Sequence, residues 1–285
     1  MQKLTSILAV ADATAGGLQV LEKALLLAQR FAARVDLVAA DPGIIAALAA
    51  HCAERHFHDV TISRLQGNGP LRELIVQRAR ERNPDLVIKA ASGARPLRRW
   101  TLDENDRWLA SECPVPLLLA TARPWMGELR MAAAVDVSDT DSARFARAIL
   151  QCAGFVALGS HAWLDVLYSE PEQHDERLRM ERAVKLSQLV REFHVGSERL
   201  QMFGGAPERT LPPVVKGRRY DLLVLGAITH RNGVANWNET LSSKLVDAAG
   251  GDVLLVKPGE RGVGNACPLD LLLRQQGANL AEQLV

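Results

Sequence analysis

Residues 84–120 read PDLVIKAASGARPLRRWTLDENDRWLASECPVPLLLA, and residues 220–257 read YDLLVLGAITHRNGVANWNETLSSKLVDAAGGDVLLVK. Each opens on an aspartate followed by an apolar run, crosses a polar loop, and closes on an amphipathic segment and a second apolar run. Asp85 matches Asp221 and Leu117 matches Val253, both pairs 136 positions apart. Upstream, SILAVAD ending at Asp12 matches MAAAVDV around Asp136, 124 positions apart. Self-similarity of this kind is the signature of a duplicated unit. The difference between the two offsets gives the second copy twelve additional residues, which the polar stretch 169–193, SEPEQHDERLRMERAVKLSQLVREF, is long enough to hold. TARPWMGELR, residues 121–130, separates the copies and carries the Pro and Gly expected of a linker.

Within the first copy, ILAVA, VDLVAA, VTISRL, DLVIKA and PLLLA are short apolar runs bounded by polar residues. Between them lie LQVLEKALLLAQRFA, a segment over 46–56, LRELIVQRARER and ENDRWLASE, which have helical length and spacing. Continuous apolar strands alternating with helices predict a parallel sheet covered on both faces. The expected fold is therefore α/β: two tandem doubly wound domains, each with a five-stranded parallel sheet flanked by helices. The predicted boundaries are 1–122 for the first domain, 123–128 for the linker, 129–258 for the second domain and 259–285 for a tail. That tail, CPLDLLLRQQGANLAEQLV from Cys267 onward, has the spacing of a short amphipathic helix and is expected to dock on a domain or a second subunit.

Composition narrows the function classes. Of 285 residues, 48% are hydrophobic and 24% charged, the profile of a globular chain. With 34 basic and 33 acidic residues the net charge is +1, so no whole-chain field draws it to nucleic acid or to an anionic membrane. Only a run of about six apolar residues opens the chain, too short for a signal-peptide core or a spanning helix, and a cytoplasmic location is expected. Cys52, Cys113, Cys152 and Cys267 form no C-x-x-C pair and are expected to be core residues, with no disulfide framework and no metal. His51, Cys52, His56 and His58 lie close together but match no compact zinc spacing. No G-x-S-x-G, Walker A, paired catalytic carboxylates or H-E-x-x-H is present, so no catalytic residue is assigned. Arg78, Arg80, Arg82, Arg95, Arg98 and Arg99, with Trp100, form a basic and aromatic stretch that offers a site to an anion or acidic partner.

In doubly wound sheets, ligands bind beyond the carboxyl ends of the strands where strand order reverses. That edge singles out Asp12, Val38 and Lys89 in the first copy, and Asp136, Val166, Gly226 and Thr240 in the second. Asp12 and Asp136 are suited either to a nucleotide or to capping the helix that follows. Asn238 is placed to cap the helix opened by NETLSSKLV, and a strand, loop and helix N-terminus in this order attracts anions.

The tandem copies, the aspartate ending the first strand, the G-x-P leading into the third helix and the C-P-x-P before the last strand resemble the universal stress protein family, in its tandem form. The likeness spans residues 3–258. It implies the adenine nucleotide alpha hydrolase-like fold, a stress-response role, two domains packed as a pseudo-dimer through their last strands, and further homodimerisation. Family members that bind ATP carry G-x2-G-x9-G-[ST] after the fourth strand. Here Gly226 and Thr240 match, while Thr229 stands at the second glycine and Glu239 at the third. In the first copy Lys89, Ser92 and Asp103 take the three glycine positions. A carboxylate about 4 Å from a phosphate costs about 1 kcal/mol in water and about 4 kcal/mol at intermediate dielectric, or one to three decades of affinity. The resemblance therefore implies a non-catalytic binding or scaffold module with no certain cofactor, its protein partner or small ligand unidentified. The alternatives are ATP bound by the second domain with slow hydrolysis, or another small ligand in the altered clefts.

Overall fold

The computed structural model describes residues 4–11, 15–39, 41–55, 57, 59–92, 102–170, 175–227 and 240–257. The first half contains β1 (Ser6–Ala11), α1 (Ala15–Phe31), β2 (Arg34–Ala39), α2 (Ile45–Glu54), β3 (Val60–Arg64), α3 (Leu71–Arg82), β4 (Leu86–Ala90), α4 (Glu104–Glu112) and β5 (Leu117–Ala120). The second repeats it with β6 (Arg130–Ala134), α5 (Thr140–Ser160), β7 (Trp163–Glu170), α6 (Glu176–Glu192), β8 (Leu200–Gly204), α7 (Pro207–Arg218), β9 (Leu222–Gly226), α8 (Leu241–Ala248) and β10 (Asp252–Val256). The expected α/β class and parallel pairing hold within each half. Among the described residues the two sets of five strands join into one sheet, in the order β3-β2-β1-β4-β5-β10-β9-β6-β7-β8. Of the described strand pairs only β5 and β10 run antiparallel, so the carboxyl edges of the two halves face opposite ways.

Side chains alternate across each strand, and the two faces feed two cores. Ile7 and Ala9 belong to the core that also takes in residues of α1, α2, α5 and α6, whereas Leu8 and Val10 belong to the core that takes in residues of α3, α4, α7 and α8. Helices α1 and α5 meet across the centre of the molecule. Phe31 stands edge-on to Phe155 at 5.4 Å, and a methyl on Gly159 would come within 2.5 Å of Leu27 Cδ2. A glycine is needed at that approach.

Both aspartates that anchored the repeat tie down the first strand of their own half. Asp85 accepts from Thr5 N at 2.7 Å, Thr5 Oγ1 at 2.9 Å and Ser6 N at 3.1 Å; Asp221 accepts from Arg130 N at 2.9 Å. The additional length of the second half is spread more widely than the stretch 169–193. Helix α5 has 21 residues against 17 in α1, β7 has 8 against 6 in β2, and α6 has 17 against 10 in α2. Among the described residues no helix is long and apolar enough to cross a membrane.

Candidate functional site

At the strand-order reversal of the first half, the carboxyl end of β4 is closed by an internal ion pair. Lys89 Nζ donates to Ala90 O at 2.7 Å, Ser92 Oγ at 2.8 Å and Asp106 Oδ1 at 2.9 Å. An ammonium has three N–H donors, and all three are engaged. Asp106, on the first turn of α4, is fully buried; its other oxygen accepts from Ser92 N at 2.8 Å. The carboxylate thus takes the backbone N–H and the cation that a bound phosphate would need. Asp103 caps α4, accepting from Asp106 N at 2.7 Å. Val38 is fully buried opposite Val10, in the core beneath α3 and α4.

Strand register corrects two assignments made from the motif, Lys89 and, three positions on, Ser92, whose place in the motif falls to Gly93. Ala90 pairs with Ala120 as Gly226 pairs with Val256, so Ala90 is the counterpart of Gly226, and Lys89 is the counterpart of Leu225. A slip of one residue along a strand exchanges faces. Lys89 therefore points to the α4 side, whereas Gly226 lies against α5.

In the second half Gly226 ends β9, and a methyl there would come within 2.5 Å of Phe145 Cε1 on α5. The position is small because an aromatic ring occupies the adjoining space. Ser242 Oγ donates to Gly226 O at 2.8 Å, fastening α8 to the strand end. Thr240 caps α8, its Oγ1 accepting from Ser243 N at 3.2 Å. The cap expected at Asn238 is therefore two residues further on, because the helix begins at Leu241.

Asp136 lies past the end of β6, exposed, and accepts from Ser138 N and Ser138 Oγ, each at 2.9 Å. It does not cap α5. That role belongs to Asp139, which accepts from Ser142 N at 2.8 Å, and the bonds from the Ser142 backbone and hydroxyl hold its carboxyl below the ordinary range. Val166 is likewise displaced from its expected place. It sits in the middle of β7 opposite Ala133, with no exposed surface, on the core face shared with α5 and α6. Leu167 is the true counterpart of Val38, since Arg34 and Trp163 hold matching places beside the first strands.

The sequence reading missed the groups that fill this edge. Glu170, at the end of β7, accepts from Arg182 Nη1 on α6 at 2.6 Å, and both are nearly buried. Burial, with Glu170 nearby, pushes the Tyr168 hydroxyl up. Asp106, Phe145, Glu170 and Arg182 carry no motif. Only the polarity of Asp106 at the third position of a helix, where burial is unexpected, marks any of them. A cavity of about 220 Å³ lies between α5 and α6, lined by Val137, Thr140, Arg147 and Lys185 among others. Its cations are engaged, Arg147 by Glu192 at 2.6 Å and Lys185 by Glu181 at 2.7 Å.

Elsewhere, Arg78 bonds to Asp36 at 3.0 Å and to Ser63, so it belongs to a buttress between α3 and β2. His51 bonds to Glu22 of α1 at 2.5 Å. Asp12, His56, His58, the stretch 93–101, Thr229, Glu239 and the tail from 258 lie outside the described residues.

No family model matches this sequence, and no curated protein matches it. Solved structures do. A protein from Pseudomonas aeruginosa UCBPP-PA14, assigned to the universal stress proteins, superposes with a TM-score of 0.77 at 23% identity over 96% of each chain. A functionally unknown protein from Pseudomonas aeruginosa PAO1 gives 0.76 at 22% identity over 99% of this chain and 98% of its own. A universal stress protein from Archaeoglobus fulgidus DSM 4304 gives 0.62 at 13% identity, over 90% and 98%. At these identities the likeness establishes the fold shared with universal stress proteins.

Proposed function

We propose that this chain is a tandem universal stress protein that serves the stress response as a non-catalytic binding or scaffold module, with neither half retaining a working nucleotide site. The observation that carries the reading is the Lys89, Ser92 and Asp106 network, in which every ammonium donor already has a protein acceptor. A polyphosphate entering there must displace a buried carboxylate from its own cation, and breaking a buried pair is costly. In the second half the reading is supported by Phe145 against Gly226 and by the Glu170 and Arg182 pair at the neighbouring strand end. Of the described titratable groups at the two edges, Lys89 pairs with Asp106 and Glu170 with Arg182, while Asp103, Asp136 and Asp139 accept from nearby backbone or serine groups, and they include no nucleophile with an adjacent base. A cytoplasmic homodimer is the form in which we expect the protein to act.

Titration calorimetry of the full chain with ATP and magnesium tests this. The expected result is no saturable heat up to 1 mM ligand, a limit equivalent to about −4 kcal/mol. Saturation below that concentration contradicts the reading. If it were abolished by Gly226→Ala and unaffected by Lys89→Met, the second half would be a nucleotide site.

A further inference from the structure

We infer that Asp252 is a register lock for the seam that joins the two halves. The seam is short and chemically uniform: Val253, Leu254 and Leu255 of β10 pair with Leu119, Leu118 and Leu117 of β5. Because strand side chains repeat every two residues, a shift of two positions keeps each leucine on its original face. Apolar packing alone therefore discriminates poorly between registers.

Asp252, the first residue of β10, supplies the discrimination. It is 1% exposed, as is Lys23. Its Oδ1 accepts from Thr121 N and Thr121 Oγ1, both at 2.7 Å. Its Oδ2 accepts from Lys23 Nζ at 2.7 Å and from Trp125 Nε1 at 2.8 Å. Lys23 also donates to Thr121 O at 3.0 Å and lies 5.5 Å from the centre of the Trp125 ring. One carboxylate thus gathers α1 of the first half, the residue following β5, and the linker onto the first residue of the second half's last strand. In a register moved by two residues, about 7 Å along the strand, Asp252 leaves all of them and two buried charges lose their partners. Buried ion pairs contribute little net stability, and fixing register is their best attested use.

The lock occurs on one side only. The counterpart of Asp252 at the 136-residue offset is Pro116, and on the opposite side of the seam Lys257 Nζ donates to Ser111 O instead. The asymmetry commits β5 to β10 and makes a second β5, or another apolar strand without the aspartate, a poor substitute.

The test replaces the pair by apolar residues of similar size, Lys23→Met with Asp252→Leu in the full chain, and follows native-state hydrogen exchange. The expected result is protection of the seam amides, 117–120 and 253–255, falling on the order of 100-fold while amides of β1 and β2 keep theirs. Unchanged seam protection overturns the inference, as does an equal loss throughout the chain. Should the double variant fail to fold, Asp252→Asn decides by the same comparison. It keeps the shape but removes the charge and turns one of the two accepting oxygens into an NH2 donor, and a loss on the order of 10-fold confined to the seam is expected; a uniform loss, or none, overturns the proposal.

Discussion

Tyr220 donates its hydroxyl to Asp165 Oδ2 at 2.9 Å, and burial together with that carboxylate pushes its pKa up to about 12. Tyr168 is also raised, by burial and then by Glu170, and these are the chain's two tyrosines. A spectrophotometric titration of the native protein should therefore show both phenolates forming above the ordinary value of 10.0, that of Tyr220 only on approach to about 12 or on unfolding. Between those values the unfolded chain has lost a proton that the folded chain keeps, so stability is complete below 10.0 and falls as pH rises toward about 12. A full phenolate signal at 10.0 in folded protein contradicts the burial assigned to these rings. Gly226→Ala drives a methyl into Phe145 and should lower stability by about 1–3 kcal/mol in denaturant titration. Phe145→Leu in the same chain should recover part of the loss, whereas a neutral Gly226→Ala would show that the ring has room to move. Gly226 was legible as a required glycine, but not for this reason, since its partner lies on a helix about eighty residues earlier.

The closed end of β4 depends on two elements, a strand that supplies Lys89 and a helix turn that supplies Asp106. Asp106→Ala leaves the ammonium buried without a counter-charge and should cost about 3–5 kcal/mol. Lys89→Met combined with Asp106→Leu should be much milder, because no charge is then stranded. Equal penalties for the single and double changes, measured by thermal unfolding, would mean that packing rather than pairing holds the loop. Strands and helices of the first half were readable almost to the residue, because each apolar run is bounded by polar or turn residues. The errors at this scale were one-residue slips. Val166 was taken for Leu167, and Lys89 for Ala90, since an all-apolar strand gives no alternation to fix its phase. On a strand, one residue is the difference between the two cores. The cap of α8 moved from Asn238 to Thr240 because both are good caps and only the helix start distinguishes them.

At the scale of the whole molecule, duplication repeats the five strands of the first half in the second, and the repeat was visible in the spacing of Asp85 and Asp221, whereas the strand order was not. The joining of the halves through β5 and β10 came only from the family likeness, because LLLA and DVLLV contain nothing that names a partner. Asp252 stood out in that stretch as a charge beside a buried strand, yet its partners Lys23, Thr121 and Trp125 are far away in sequence. Among the described residues, the buried polar groups at the strand ends and where the halves meet are already satisfied within the chain: Lys89 by Asp106, Glu170 by Arg182 and Asp252 by Lys23. The most direct test is mass spectrometry of small molecules released by denaturing gently purified full-length protein. The expected result is no adenine nucleotide at a meaningful fraction of the protein. ATP or another adenine nucleotide recovered at close to one per chain would contradict the account.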